Sequence, residues 1–272
     1  MTIPFWKMSG CGNDFIVIDH RQPLIPDVRD FVVKVCRRGL SLGSDGLILV
    51  ETSQVAPYAW RFFNNDGNEA EACGNGSRCV ARFAYLQGIA AARHAFETRA
   101  GLVRAHVLEA DRVRVWLPDP SDLRLNLLVG VGGVQYTGHF INTGVPHVVY
   151  FVEEVDTAEV VPLGRATRQH PLFAPHGANV NFVQVLDAER LKIRTYERGV
   201  EDETLACGTG SIAAAILAAT LGRVKPPVRL QTQSGISLGV DFTQTAECFT
   251  GVSLEGDARI ICKGALQEEA WT

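Results

Sequence analysis

The sequence predicts a two-domain α/β (α+β) protein, each domain a curved β-sheet wrapped around a central helix, the two related by pseudo-symmetry. Three observations carry this. The chain has 272 residues, enough for two domains of roughly 150 residues or fewer. Ala72-Cys-Gly-Asn-Gly-Ser77 matches Ala206-Cys-Gly-Thr-Gly-Ser211 at five of six positions, 134 residues later, and a fixed offset near half the length is the mark of a duplicated unit. Short β-branched and aromatic runs outnumber the helical segments in both halves.

Each element has a local reason. In the first half, Phe15–Asp19 and Leu47–Glu51 read as strands, and Leu102–Leu108 with Val113–Leu117 as a hairpin about Glu109-Ala-Asp111. The second half offers Val145–Val152, Val180–Val185, Leu191–Tyr196 and Val228–Thr232. The correspondence extends beyond the loops: Tyr58–Asn64 lies over Leu191–Glu197, and Phe15–Ile18 over His147–Tyr150. A helix follows each repeated loop directly, Ser77 to about Gln87 and Ser211 to about Leu221, with Gly88 and Gly222 where a helix end favours glycine. Ile212–Ala219 reads as a packed helix, not a membrane or partner helix. Pro118-Asp-Pro-Ser-Asp122 is the expected linker. The expected domains are 1–117 with a closing segment about 264–272, and 118–263.

Composition removes several function classes. Lys+Arg is 26 against Asp+Glu 30, a net charge of −4 with no basic run, which argues against nucleic acid or an anionic membrane as partner. Asn13 and Asp14 stand where a signal peptide needs its apolar core. The longest stretch without Asp, Glu, Lys or Arg, Leu125–Val152, is interrupted by five glycines, Asn126, Gln135, Asn142 and Pro146, unlike a lipid-facing helix. Seven cysteines, an odd and scattered set, point to a reducing, cytoplasmic compartment with some thiols kept for chemistry.

The chemistry follows from the repeated loops. A cysteine at the first turn of a helix meets the positive end of the helix dipole and unpaired N–H groups, and both favour thiolate. Gly74, Gly76, Gly208 and Gly210 let backbone approach an anion such as a carboxylate. Two such loops in related domains would face one cleft, the expected active site, with a thiol on each side of a bound carbon. That suits epimerisation of an amino acid by proton removal on one face and reprotonation on the other. The developing charge would rest on N–H dipoles, so no pyridoxal cofactor is required. Cys73 and Cys79 lack metal-ligand spacing, so no metal is expected.

Lys7-Met-Ser-Gly-Cys-Gly-Asn-Asp-Phe15, Asn64-Asn-Asp-Gly67 with Ala72–Arg78, Gly144-Val-Pro-His147, Glu197-Arg-Gly199 and Glu203–Gly210 occur in this order, and as a set they resemble the diaminopimelate epimerase family. The resemblance implies a cytoplasmic, cofactor-independent homodimer interconverting LL- and meso-2,6-diaminopimelate, for lysine and peptidoglycan synthesis. It implies that Cys73 and Cys207 are the acid–base pair, with His147 and Glu197 tuning them. Asn13, Asn64 and Asn179 would hydrogen-bond the substrate's amine and carboxylate groups. Gly74-Asn75 and Gly208-Thr209 would give backbone donors to the reacting carboxylate. Glu197-Arg198 would fix the substrate, Arg198 pairing with its distal carboxylate.

Three departures bear on substrate fit. Val145 stands where the family often has Asn, with Asn142 nearby as a substitute; Gly46 stands where some members have Gln; and Arg198–Cys207 is one residue longer than the shortest version. Plainer readings stand beside these: Asn13 and Asn64 as turn formers, and Cys11, Cys36, Cys79, Cys248 and Cys262 as buried packing residues. Gly208-Thr-Gly-Ser-Ile-Ala213 also fits G-x-G-x-x-A, but Asp and Glu are absent between Thr204 and Val240, where a dinucleotide site needs an acidic residue. A cysteine hydrolase would leave the second loop unexplained, and a non-catalytic relic would ordinarily have lost a thiol. A racemase or epimerase of another amino acid, of the proline and hydroxyproline type, could use the same thiol pair.

Overall fold

Ile16–Ile18 and Leu47–Val50 have no exposed side chain on either face, so these strands are covered by packed structure on both sides. A computed structural model of the chain describes residues 2–71, 73–245 and 248–272. Met1 and Ala72, the first residues of the expected N-terminal domain and of the earlier repeated loop, lie outside the described residues.

The chain forms two units, 1–116 with 255–272, and 117–254. The first contains strands β1 (Ile3–Gly10) and β2 (Asn13–Asp19), helix α1 (Val28–Val35), then β3 (Gly46–Glu51), β4 (Ala59–Asn64) and the short β5 (Glu69–Ala70). Helix α2 (Gly74–Leu86) follows, then β6 (Arg93–Thr98), β7 (Gly101–Val107) and β8 (Arg112–Trp116). The second unit has β9 (Ser121–Val131), β10 (Val134–Asn142), β11 (Pro146–Phe151), helix α3 (Val160–Arg168), β12 (Asn179–Val185), β13 (Arg190–Glu197) and β14 (Asp202–Thr204). It continues with helix α4 (Gly208–Thr220), β15 (Val228–Gln231), β16 (Ser237–Gln244) and β17 (Phe249–Asp257). The chain then returns to the first unit as β18 (Arg259–Leu266).

Strand pairing repeats between the units. In the first, β18–β1–β2 pair antiparallel, β2 runs parallel to β3, β3 antiparallel to β4, β4 parallel to β6, and β6–β7–β8 antiparallel. In the second, β9–β10–β11 pair antiparallel, β11 runs parallel to β12, β12 antiparallel to β13, β13 parallel to β15, and β15 antiparallel to β16. Registers correspond as well. Phe15 faces Gly46 and Gly46 faces Asn64; His147 faces Asn179, and Asn179 with Glu197 flanks the Val180–Tyr196 pair. His147, Asn179 and Glu197 therefore stand where the first unit has Phe15, Gly46 and Asn64.

In each unit the sheet packs on its long helix, α2 against β1–β3, β7 and β8, and α4 against β10–β13, β15 and β16. α4 is apolar all round, and Ile212–Ala218 are all buried, as a helix enclosed by sheet must be. A second, shorter helix lies on the other sheet face. Phe31, Val32 and Val35 of α1 join Ile16, Ile18, Leu47 and Leu49 in one core cluster, while α3 packs on β12 and β13. These two helices add a layer that the sequence reading omits. Their Val-rich composition, with Pro162 and Gly164 inside α3, gives weak helix propensity, and packing overrides it.

Two boundaries differ from expectation. The segment 255–263, assigned by the sequence to the second domain, belongs with the first. Asp257 Oδ1 accepts from the Cys11 N–H at 2.9 Å, Ala258 N donates to Asp111 O, and β18 pairs along β1. The expected linker is partly strand, since β9 begins at Ser121. Gly88 and Gly222 do close the two long helices with φ of +69° and +68°.

Gly164 sets the approach of α3. A Cβ there would lie 2.5 Å from the Tyr196 Cβ and 2.8 Å from its ring, and Tyr196 is fully buried. Gly164→Ala is expected to destabilise the fold by about 1–3 kcal/mol through overpacking, read as a lower urea midpoint; an unchanged midpoint would contradict this packing.

Candidate functional site

The two repeated cysteines occupy the same structural position. Cys73 is the N-cap of α2 and Cys207 the N-cap of α4, both in extended backbone conformation. Each sulfur therefore stands at the end of a helix whose first N–H groups lack intrahelical partners. Their partners differ. Cys73 is half-buried and its Sγ accepts from the Gly76 N–H at 3.3 Å. Cys207 is 7% exposed, with its Sγ 3.5 Å from Thr209 Oγ1. Glycine permits close approach at both turns: a Cβ on Gly210 would lie 2.3 Å from Asn181 Oδ1, and one on Gly76 3.1 Å from the Trp60 ring.

Around Cys73 the polar side chains form one directed chain. Arg78 Nη2 donates to Asn75 Oδ1 at 2.7 Å, Asn75 Nδ2 to Asn13 Oδ1 at 2.7 Å, and Asn13 Nδ2 to Asp45 Oδ2 at 3.1 Å. This fixes the orientation of both amides and leaves each one further N–H. Asp45 is in turn held by Arg38. Asp14 accepts from Arg38 and pairs with the buried Lys7 at 2.7 Å. Despite burial, those two cations hold its carboxyl down at about 2. Asn64 carries an exposed side chain, and its backbone closes the turn to Asn68. Gly46 has no room for a longer residue, because a Cβ would meet Phe63 O at 2.5 Å and the Phe62 ring at 2.6 Å.

The second unit places a different set at the equivalent positions. His147 is fully buried. Asn181 Nδ2 donates to its Nδ1 at 3.2 Å and to Val148 O at 3.0 Å, while Asn181 Oδ1 accepts from Thr195 Oγ1 at 3.0 Å. Nδ1 is thus an acceptor and the ring proton sits on Nε2. That Nε2 is a buried donor with no partner among the described residues, and such a group marks a place for a ligand. Burial, and then the nearby Arg198 charge, push the His147 pKa down to about 3, so the ring is a neutral hydrogen-bond donor. Its expected tuning of a cysteine cannot come from a positive charge near neutral pH.

Asn179 is buried and its Oδ1 accepts from the Arg198 N–H at 2.8 Å. Burial raises the Glu197 pKa; its Oε2 accepts from Thr204 Oγ1 at 2.9 Å. Arg198 Nη1 donates to His176 O at 3.2 Å, and no carboxylate pairs with its guanidinium among the described residues. Thr209 O accepts from Thr143 Oγ1 at 3.0 Å. Asn142, suggested as a substitute for the residue missing at Val145, has its Oδ1 committed to the Gly144 N–H at 3.0 Å, a local turn. Asn181, which holds His147, is not singled out by the sequence reading; its position two residues after Asn179 on a buried strand is the available signal.

The other cysteines divide. Cys36 and Cys79 are buried, burial pushing the Cys36 thiol up to about 12 and Cys79 upward as well, which leaves both inert. Cys11 is buried in the β1–β2 turn with φ +52°. Cys248 and Cys262 are exposed, not buried as expected; Cys262 lies on β18, where most side chains from Arg259 to Ala265 are exposed. The G-x-G-x-x-A segment follows the antiparallel strand β14, not the parallel strand a dinucleotide fold requires. Among the described residues no group of three or more His, Cys, Asp or Glu could hold a metal ion, and no helix is long and apolar enough to cross a membrane.

The model of the family "Diaminopimelate epimerase" matches residues 5–120 and 139–260. The chain belongs to the diaminopimelate epimerase family. It is 47% identical to a diaminopimelate epimerase of Aquifex aeolicus, covering 97% of this chain and 98% of that one. A Hydrogenobaculum protein of the same name is 43% identical over the same shares. Among solved structures, a Bacillus anthracis phenazine biosynthesis protein of the PhzF family aligns with a TM-score of 0.77 at 16% identity, covering 98% of this chain and 99% of that one. A probable proline racemase from Agrobacterium radiobacter K84 aligns with 0.71 at 16%, covering 98% and 93%. At that identity these two show the shared fold alone.

A ring nitrogen-15 spectrum tests the His147 assignment. The expected result is a neutral Nε2–H ring from pH 8 to pH 5. Protonation belongs to the unfolded chain between the ordinary histidine value of about 6.5 and the folded value of about 3, so His147 costs the fold stability as pH falls through that window. An imidazolium in folded protein at pH 6 would contradict the assignment.

Proposed function

We propose that this chain interconverts LL- and meso-2,6-diaminopimelate without a cofactor, Cys73 and Cys207 serving as the acid–base pair. The observation that carries the reading is the shared position of the two thiols: each is the N-cap of the central helix in one of two equivalent units, within a chain of this family. A thiolate at one helix end removes the α-proton from one face of the carbon; the thiol at the other delivers a proton to the opposite face. The roles exchange with the direction of reaction. The backbone N–H groups at Gly74-Asn75 and Gly208-Thr209 stabilise the charge that develops on the α-carboxylate.

Asn13 and Asn75 keep one N–H each for substrate, and Asn64 and Asn179 supply further amide groups. Arg198, without a carboxylate partner of its own among the described residues, suits the carboxylate at the far end of a long diamino diacid. That charge at the far end favours diaminopimelate over proline-type substrates, which lack a second carboxylate. Neutral His147 supplies an N–H donor, and Glu197, with its raised pKa, is a group able to take a proton near the site. The place of action is the cytoplasm and the assembly a homodimer, with a small amino acid as partner and neither nucleic acid nor membrane.

Incubation of reduced protein with LL-diaminopimelate in D2O, followed by NMR, tests the reading. Exchange of the α-proton with formation of the meso isomer is expected. Cys73→Ala and Cys207→Ala should each lower the rate by about 10²–10⁴-fold, the usual contribution of a general acid or base. No exchange in folded, reduced protein would contradict the substrate; unimpaired epimerisation by either variant would contradict the mechanism.

A further inference from the structure

Among the described residues, Arg78 is the largest side chain with no solvent exposure. It lies in α2, five residues after Cys73. Its Nη2 donates to Asn75 Oδ1 at 2.7 Å, Nη1 to Gly74 O at 3.3 Å and Nε to Asp257 O at 3.2 Å. All three acceptors are neutral, and no carboxylate lies within ion-pair distance among the described residues. A buried cation hydrogen-bonded only to neutral groups is costly, and packing alone would be served by an apolar side chain of similar length. The charge is held beneath the helix turn that Cys73 caps.

The ionisable groups facing it are Cys11 in the β1–β2 turn, Cys73 and Cys79 on either side in sequence, and Asp257 ahead of β18. Two of these are already occupied or quenched. Asp257 Oδ1 accepts from Cys11 N and its Oδ2 lies 2.9 Å from Arg259 Nε; Cys79 is held as a neutral thiol by burial. Arg82, on the same helix, donates to Ala258 O. Of the two that remain, Cys11 is fully buried, which disfavours a thiolate, whereas Cys73, half-buried and already accepting an N–H, can become an anion and use the field.

We infer that Arg78 is a positioning residue for the reaction: its buried guanidinium stabilises negative charge at Cys73 and locks the Asn75 amide. The Arg78–Asn75–Asn13–Asp45 chain runs from a cation to a carboxylate with every donor pointing the same way, an arrangement in which each bond polarises the next. It fixes which end of each asparagine faces a ligand. The inference rests on Cys73 being a reactive thiol, as proposed above, but not on the identity of the substrate.

The test is the pH dependence of iodoacetamide alkylation of Cys73, resolved by site with mass spectrometry, in Arg78→Met, Arg78→Gln and Arg78→Lys. The two neutral variants are expected to raise the midpoint by about one pH unit, a roughly tenfold slower alkylation at neutral pH. Arg78→Lys keeps a charge but not the fork. It should hold the midpoint near wild type while raising KM for the epimerised substrate through the freed Asn75 amide. A folded neutral variant with the wild-type midpoint would overturn the inference, as would a lysine variant displaced as far as the neutral ones. Should neither neutral variant fold, the lysine variant decides. Because alkylation needs no substrate, failure of diaminopimelate turnover leaves this test standing.

Discussion

A sulfur at a helix N-cap stands at the positive end of the helix dipole, beside N–H groups that the helix cannot use, and the rest of this structure is arranged around that fact. α2 and α4 are enclosed by their sheets, so each carries its cysteine on a rigid element. The glycines after each cysteine keep the first turn clear of side chains.

The two units share a fold but differ in the polar groups they carry at matching strand positions. At equivalent positions the first unit has Phe15, Gly46 and Asn64, and the second His147, Asn179 and Glu197. The first relies on a hydrogen-bonded chain from buried Arg78 to Asp45. At its own positions the second has a neutral histidine held by Asn181, a buried threonine and a carboxyl whose pKa burial raises. A proton relay that runs in both directions needs both thiols within reach of neutrality, not identical surroundings.

Much of this was legible in the sequence, for a physical reason. Duplication leaves a fixed offset, and glycine next to cysteine at a helix start is a strong local signal, so the central helices and both repeated cysteines could be read directly. Buried parallel strands announce themselves as apolar runs such as Leu47–Val50. The short outer helices could not be read so easily, because α3 holds Pro162 and Gly164 and gains its stability from packing on Tyr196. The return of 255–263 to the first unit depends on Asp257 reaching Cys11, a contact 246 residues apart in sequence. Gly46, which stands where some members of the family have Gln, is accounted for by the Phe62 ring and the Phe63 carbonyl filling that space. Arg78 was visible only as part of a motif; its burial and its neutral acceptors are properties of the fold.

In the proposed reaction two monoprotic thiols work on opposite faces of one carbon. The most direct measurement is where deuterium goes at the start of reaction in D2O, in product and in recovered substrate. A thiol that takes the substrate's own hydrogen can return only that hydrogen, while the opposing thiol, equilibrated with solvent, delivers deuterium. Label is expected in the newly formed epimer and not in recovered substrate at early times. Equal early labelling of both would contradict the two-thiol reaction, because a single exchanging base would then serve both faces.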